Sequence, residues 1–470
     1  MPRAIVIDDN TSAQGGHYSE LSSLLLGAAV ESGYEPALVA HQDFRENPAF
    51  PAGCQILRCF TTRRMTRWSC GFDGQSSIAR NTDSMPLSHT LLAHCFAKRD
   101  EWLTRAQWRP SEMLERWSDG LTTAIKTLNP TSDDKLIFQT ADDFMMVAMA
   151  RALSRFQTRR FCIKAIFHYA VHGVHRPSEV TRKAFDQQLN HALLKLKPHH
   201  DVTLFATTEP LAEQMNGGTL SQHVHSIAYP IRPTPNHQKQ TRNPPRIVLG
   251  GNHRSEQGRD AVAPFLETIY KPLVESGRCS LTLRLDPKRW KHIIPRSLHE
   301  PFAPAIERQV RLNPGCYRHS IEPLPALDVQ PTTLSESDYS QMLSSADLGV
   351  LLYDSDRYKV RCSGVLLEFL TRGVPVLAPG DCWLGTTVKA HSQPHPVGYT
   401  YGKSREILGL IERFLANRKS LQASAQVASS KIAKLHSPAT TFQTLLDTRD
   451  TVTTDHSASM TICHSTYASR

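Results

Sequence analysis

Short apolar runs alternate with stretches of helical periodicity from the first residues onward, the pattern of buried parallel strands joined by crossover helices. Residues 4–8, Ala-Ile-Val-Ile-Asp, read as the first strand. Tyr18, Leu21, Leu25, Ala28 and Ala29 then share one face of a helix that Gly33 caps, and residues 37–40 resume the sheet. Residues 42–109 show no clear period and read as an insertion. Leu114, Trp117, Leu121, Ala124, Ile125 and Leu128 mark a helix that Asn129-Pro130 stops. Strands are predicted at 135–140, 161–168 and 202–207, and helices at 144–153 and 179–196. Together these make one Rossmann-like domain over residues 1–229.

Pro230, Pro233, Pro235, Pro244 and Pro245 stand among polar residues, a composition that resists helix and strand alike and suits an extended linker over 230–245. A second Rossmann-like domain, 246–448, opens with a strand at 246–250 and continues with short buried strands at 280–284, 348–352 and 375–377. Residues 449–470 lose all apolar periodicity and read as a mobile tail. The fold class is α/β, two Rossmann-like domains.

Composition changes this picture little. The chain has 470 residues, 40% hydrophobic and 21% charged, which excludes a disordered or membrane-embedded protein. No apolar run reaches membrane-spanning length, and the chain enters its first strand without a signal-like segment, so a cytoplasmic location is expected. Ten cysteines are scattered singly, which indicates neither a zinc ribbon nor a disulfide framework. The net charge of +10 favours anionic partners such as nucleotides, phosphosugars or acidic lipid surfaces. Nucleic acid is not expected, because the charge is diffuse and no recognised module is present.

The candidate chemistry gathers between residues 346 and 377. A buried strand delivers the chain to Ser363-Gly364, where Ser363 can cap the next helix and Gly364 lets a phosphate approach the backbone. Free N–H groups and the helix dipole make such a terminus an anion site. Glu368 lies about one turn further in, and its two oxygens suit a vicinal diol such as a ribose. The plainer alternatives are a simple helix cap and a solvated glutamate. The second is disfavoured, because Glu368 sits between Val365-Leu366-Leu367 and Phe369-Leu370.

These residues resemble the nucleotide-sugar-dependent glycosyltransferases of the GT-B fold, in particular the retaining family 4 group. Glu368-Phe369-Leu370-Thr371-Arg372-Gly373-Val374-Pro375-Val376 is similar to that family's Glu-Ala-x-Ala-x-Gly-x-Pro-Val signature, and Gly15-Gly16 before an amphipathic helix is similar to its N-terminal glycine loop. The resemblance spans residues 5–446. It implies two domains facing a cleft, with an acceptor site on the first domain and a nucleotide-sugar site on the second. It further implies transfer of a glycosyl unit from a nucleoside diphosphate sugar, with retention and with neither metal nor cofactor. The implied donor-binding residues are Gly15, Gly16, Gly251, Arg254, Arg361, Ser363, Gly364 and Glu368. His168, ending the strand over 161–167, is the implied catalytic residue facing the transferred sugar.

Two departures stand out. Val360 occupies the place of the family's second acidic residue, and Gln257 stands where a lysine accompanies the arginine; Arg361 is a candidate for the missing charge. The alternatives are an epimerase or phosphorylase of the same fold, or a non-catalytic protein that binds a nucleotide or a partner. His168, His172 and His175 are a weak metal candidate, since no acidic partner is near. Asp354-Ser355-Asp356 reads as a turn rather than a metal motif. Arg58, Arg63, Arg64 and Arg67 beside Phe60, Met65 and Trp68 suit either a solvated loop or contact with an anionic membrane surface or phosphorylated acceptor. The acceptor itself is a glycan, a lipid-linked molecule or a small molecule.

Overall fold

The structure is a computed structural model, and it describes residues 1–11, 17–45, 47–63, 110–169, 179–233, 242–253, 257–311 and 326–448. Strands β1 (Arg3–Asp8), β2 (Glu35–His41), β3 (Gln55–Phe60), β4 (Lys135–Ala141), β5 (Cys162–Phe167), β6 (Asp201–Ala206) and β7 (Val224–Ser226) form a parallel sheet in the order β3-β2-β1-β4-β5-β6-β7. Its helices are α1 (His17–Glu31), α2 (Pro110–Leu128), α3 (Asp143–Leu153), α4 (Glu179–Leu196) and α5 (Glu209–Asn216). A second parallel sheet, β10-β9-β8-β11-β12-β13, is built from β8 (Arg246–Leu249), β9 (Ser280–Arg284), β10 (Leu327–Gln330), β11 (Leu348–Val350), β12 (Val376–Pro379) and β13 (Gly398–Tyr401). It carries α6 (Arg259–Ile269), α7 (His299–Arg311), α8 (Glu336–Ser344), α9 (Gly364–Thr371), α10 (Trp383–His391) and α11 (Ile407–Leu435). The last described helix is α12 (Pro438–Asp447). The expected pair of Rossmann-like domains is what the chain forms.

Side-chain alternation explains the layers. Along β1, Ile5 and Ile7 enter a core with Trp117, Leu121 and Phe138, whereas Ala4 and Val6 enter another with Leu21 and Leu25 of α1. Trp117 is 1% exposed and stacks on Phe60 with ring centroids 4.9 Å apart, so truncating it to alanine would cost about 3–5 kcal/mol. The core around α1 does not end at the domain boundary. It continues through Tyr229 and Ile231 to Leu366 and Phe369 of α9 and to Phe442 of α12.

The chain crosses between the sheets twice, and the two crossings are bonded to each other. Ile231 N–H donates to the His436 carbonyl at 2.8 Å, and His436 Nδ1 lies 2.9 Å from the Tyr229 carbonyl. Burial lowers the His436 pKa, and a carbonyl only accepts, so the ring is neutral and donates through Nδ1. Beyond this point α12 packs on the first domain: Phe442 meets Tyr34 edge-on at 5.6 Å, and Thr441 Oγ1 donates to the Ala228 carbonyl at 2.9 Å. Buried Lys164 in β5 anchors the end of the same helix, donating to the Thr448 carbonyl at 2.7 Å and to Thr203 Oγ1 at 3.1 Å.

Four strands escaped the sequence reading. Residues 42–109 are not wholly an insertion, because residues 55–60 are β3, the edge strand beside β2. Its period is hidden because Arg58 and Cys59 face a half-covered edge, with Arg58 Nε donating to the Phe44 carbonyl at 3.0 Å. Arg63 pairs with Asp43 at 2.9 Å, so both described arginines of the basic cluster have local partners; Arg64, Met65, Arg67 and Trp68 lie outside the described residues. β7 is three residues long. β10 reads as polar because it carries Asp328, whose side chain pairs with fully buried Arg246 at 2.6 Å, and β13 is a short Gly-Tyr-Thr-Tyr run.

Candidate functional site

The carboxyl ends of both sheets face a shared cavity of about 650 Å³, the location expected for ligands of open α/β sheets. Residues from both domains line it. On the second domain, Ser363 adopts an extended backbone and its Oγ accepts from Leu366 N–H at 3.2 Å, so it is the N-cap of α9. A Cβ on Gly364 would meet only the Tyr229 ring, at 3.8 Å, which leaves the first turn of α9 open toward the cavity.

Glu368 lies one turn into α9 and faces the same cavity. Tyr339 O–H donates to its Oε2 at 2.7 Å, and Arg372 Nη1 donates to its backbone carbonyl at 2.8 Å. Burial pushes the Glu368 pKa up, while Arg372 and the Tyr339 bond pull it down. It is therefore no solvated surface glutamate, and one of its two oxygens already has a protein donor. From the first domain Glu20 of α1 enters the cavity as well, and burial followed by the charge of Glu368 raises its pKa to about 7. Arg232 sits between two carboxylates, with Nε 2.7 Å from Glu336 and 3.9 Å from Glu20.

Backbone geometry fixes the described ends of the loop after β8. Gly251 has φ +96°, and Gly258 has φ +76° with its α-hydrogen against the Leu352 carbonyl, where a Cβ would come within 1.7 Å. Gln257 takes no cationic role. Its Oε1 accepts from Asn252 N–H at 2.9 Å and closes the loop. Arg254, like Gly15 and Gly16, lies outside the described residues.

Across the cavity His168 follows β5 directly and is 6% exposed. Its Nε2 bonds the Gln139 carbonyl, which requires the proton on Nε2, and its ring packs edge-on to His17 at 6.1 Å and Tyr229 at 5.9 Å. Packing and cavity lining thus coincide at this residue. His172 and His175 lie outside the described residues. His17, the first residue of α1, stacks on Tyr229 at 5.3 Å, with the phenol oxygen 2.8 Å from its Nδ1. The sequence reading passed over His17 although it directly follows Gly15-Gly16.

Arg361 bridges the domains, its guanidinium 4.8 Å above the Tyr169 ring and 5.1 Å from that of Tyr358. Val360 turns away from the cavity into the apolar core of the first domain, and its carbonyl accepts from Thr208 Oγ1 at 2.6 Å. Asp354 Oδ1 accepts from the backbone N–H of Asp356 at 2.9 Å and of Arg357 at 3.2 Å, which makes it a turn residue. Arg284, the last residue of β9, also lines the cavity and was not singled out from the sequence.

Two Rossmann-like domains meeting across one cavity, with the last described helix returning to the first domain, define the GT-B fold. No protein-family model matches the chain, and no curated protein sequence does. Solved structures do. The trehalose-6-phosphate synthase OtsA superposes with a TM-score of 0.58 at 13% identity, covering 95% of this chain and 99% of its own. A sucrose-phosphate synthase from Thermosynechococcus elongatus gives 0.55 at 12% identity over 95% and 97% of the two chains. WaaG, a glycosyltransferase involved in lipopolysaccharide biosynthesis, gives 0.51 at 9% identity over 94% and 98%. Among the described residues, no helix is long and apolar enough to cross a membrane.

Proposed function

We propose that the protein transfers a glycosyl unit from a nucleoside diphosphate sugar to an acceptor hydroxyl, with retention and without a metal. The observation that carries this reading is Glu368, held by Tyr339 one turn below the open terminus of α9 at the carboxyl edge of the second sheet. In this reading its free oxygen accepts from the donor ribose, and the first-turn amides of α9 with Arg254 and Arg361 face the diphosphate, where charge grows as the bond to the sugar breaks. Gly251 and the Gly15-Gly16 loop let backbone approach the donor from either domain. His168 faces the transferred sugar. The first domain holds the acceptor, and residues 230–245 act as the linker between it and the donor domain. The structural neighbours named for trehalose-6-phosphate, sucrose-phosphate and lipopolysaccharide synthesis support a carbohydrate acceptor, free or lipid-linked.

Val360, buried in the first-domain core, favours one rival: a protein that binds the nucleotide without transferring sugar. A hydrolysis and transfer assay over UDP-, GDP- and ADP-sugars separates the two. Turnover of any donor supports the transferase; nucleotide binding with no turnover of any donor supports the rival.

A further inference from the structure

We infer that Arg284 is a further cation, beside Arg254 and Arg361, that holds the phosphate-bearing end of the donor; this rests on the donor reading above. A second cation beside Arg254 is expected near the loop after β8, and no described side chain of that loop supplies it. Gln257 is neutral and is used by Asn252 N–H. His253 is 3% exposed, and burial together with the positive charge of Arg284 pushes its pKa down to about 3, so it too is neutral.

Arg284 is placed differently. As the last residue of β9 it stands at the carboxyl edge of the second sheet, it lines the cavity, and only 8% of it is exposed. Its guanidinium lies 4.9 Å above the ring of Tyr339, and Nη1 reaches the Thr332 carbonyl only at 3.4 Å. Its Nε has no protein partner, and no carboxylate among the described residues forms an ion pair with it. Glu368 compensates part of this charge through space without pairing with it directly, and a guanidinium this buried with an unpartnered Nε is costly unless an anion completes it. The same corner holds two more buried polar atoms without protein partners, Asn252 Oδ1 and His253 Nε2. A phosphate, with several acceptor oxygens and negative charge, satisfies the arginine where a neutral sugar would not.

Arg284 also touches the ribose end of the site. It stacks on the tyrosine whose hydroxyl donates to Glu368, so one planar side chain sets the spacing between the anion and the diol. It is thus a specificity-determining residue, favouring ligands that carry both groups.

The test is calorimetry on the full chain with uridine, guanosine and adenosine and with their mono- and diphosphates, for wild type, R284Q and R284K. R284Q is expected to weaken the best diphosphate at least about tenfold and the matching nucleoside less than about twofold, with a smaller, equally graded loss in R284K. Added salt is expected to narrow the wild-type preference for the diphosphate. Equal losses across the nucleoside, monophosphate and diphosphate in either folded variant would mark a purely structural arginine and overturn the assignment, as would undiminished diphosphate binding in R284Q. If the wild type binds no nucleoside diphosphate, the donor reading itself fails, and this inference fails with it.

Discussion

Replacing Glu20 by glutamine is expected to stabilise the protein at alkaline pH and to change little at acid pH. The folded pKa of Glu20 is raised from 4.5 to about 7, by burial first and by the charge of Glu368 second. At about 1.4 kcal/mol per unit the shift corresponds to roughly 3 kcal/mol, but the side chain is 39% exposed and solvent screening reduces this to about 1–1.5 kcal/mol. The sign follows from proton linkage. A carboxyl that holds its proton longer when folded contributes stability fully present below pH 4.5, and loses it as the pH rises toward about 7. Glutamine has no such titration, and Arg232 keeps Glu336 at 2.7 Å as its partner. Urea unfolding of wild type and E20Q, at intervals between about pH 4 and pH 8.5, reads the difference directly, so departures from two-state behaviour that the two proteins share largely cancel. The gap is expected to open across that interval, with E20Q the more stable at the top. Parallel profiles, or an E20Q that is weaker at pH 8.5, would refute the argument that Glu20 and Glu368 crowd one another across the cavity.

The legibility of this chain in its sequence follows burial. Strands covered on both faces, such as β1 with Ala4-Ile5-Val6-Ile7, announce themselves as continuous apolar runs, and α2 does so through the spacing of Trp117, Leu121 and Leu128. Edge strands do not. In β3 two of six positions are exposed, and in β10 Asp328 pairs with buried Arg246, so the apolar run breaks at Arg58 and at Asp328. At the site, Ser363 and Glu368 were readable because they belong to one local motif whose turn and helix dictate their placement. Glu20, Arg232, Arg284 and Tyr339 were not, because each stands on a different element and only the meeting of two domains brings them together. Val360 shows the opposite limit. The sequence marks it as a departure from a pattern, but only the packing reveals that its side chain serves the apolar core of the other domain.

Glu368→Gln keeps the shape but not the charge of the proposed ribose ligand, so affinity should fall more for a ribonucleotide than for its 2′-deoxy analogue; equal losses by calorimetry would assign Glu368 a structural role. Gly258→Ala places a Cβ within 1.7 Å of the Leu352 carbonyl at φ +76°, so the loop after β8 must move; an unchanged melting temperature together with unchanged diphosphate affinity would contradict that. His168→Ala separates transfer from binding. The variant leaves the Gln139 carbonyl without its imidazole donor, a cost to stability of about 1–3 kcal/mol that should appear as a lower melting temperature. It also removes the ring that stands at the first-domain wall of the cavity between His17 and Tyr229, on the opposite side from Glu368. If that ring meets the transferred sugar most strongly as the glycosidic bond breaks, turnover should drop at least about tenfold per folded molecule while diphosphate affinity stays the same. Both quantities come from one purified sample, with activity normalised to the folded fraction. A lower melting temperature with full activity in that fraction would show that His168 only supports β4, and the group acting on the sugar would then have to be sought at His17.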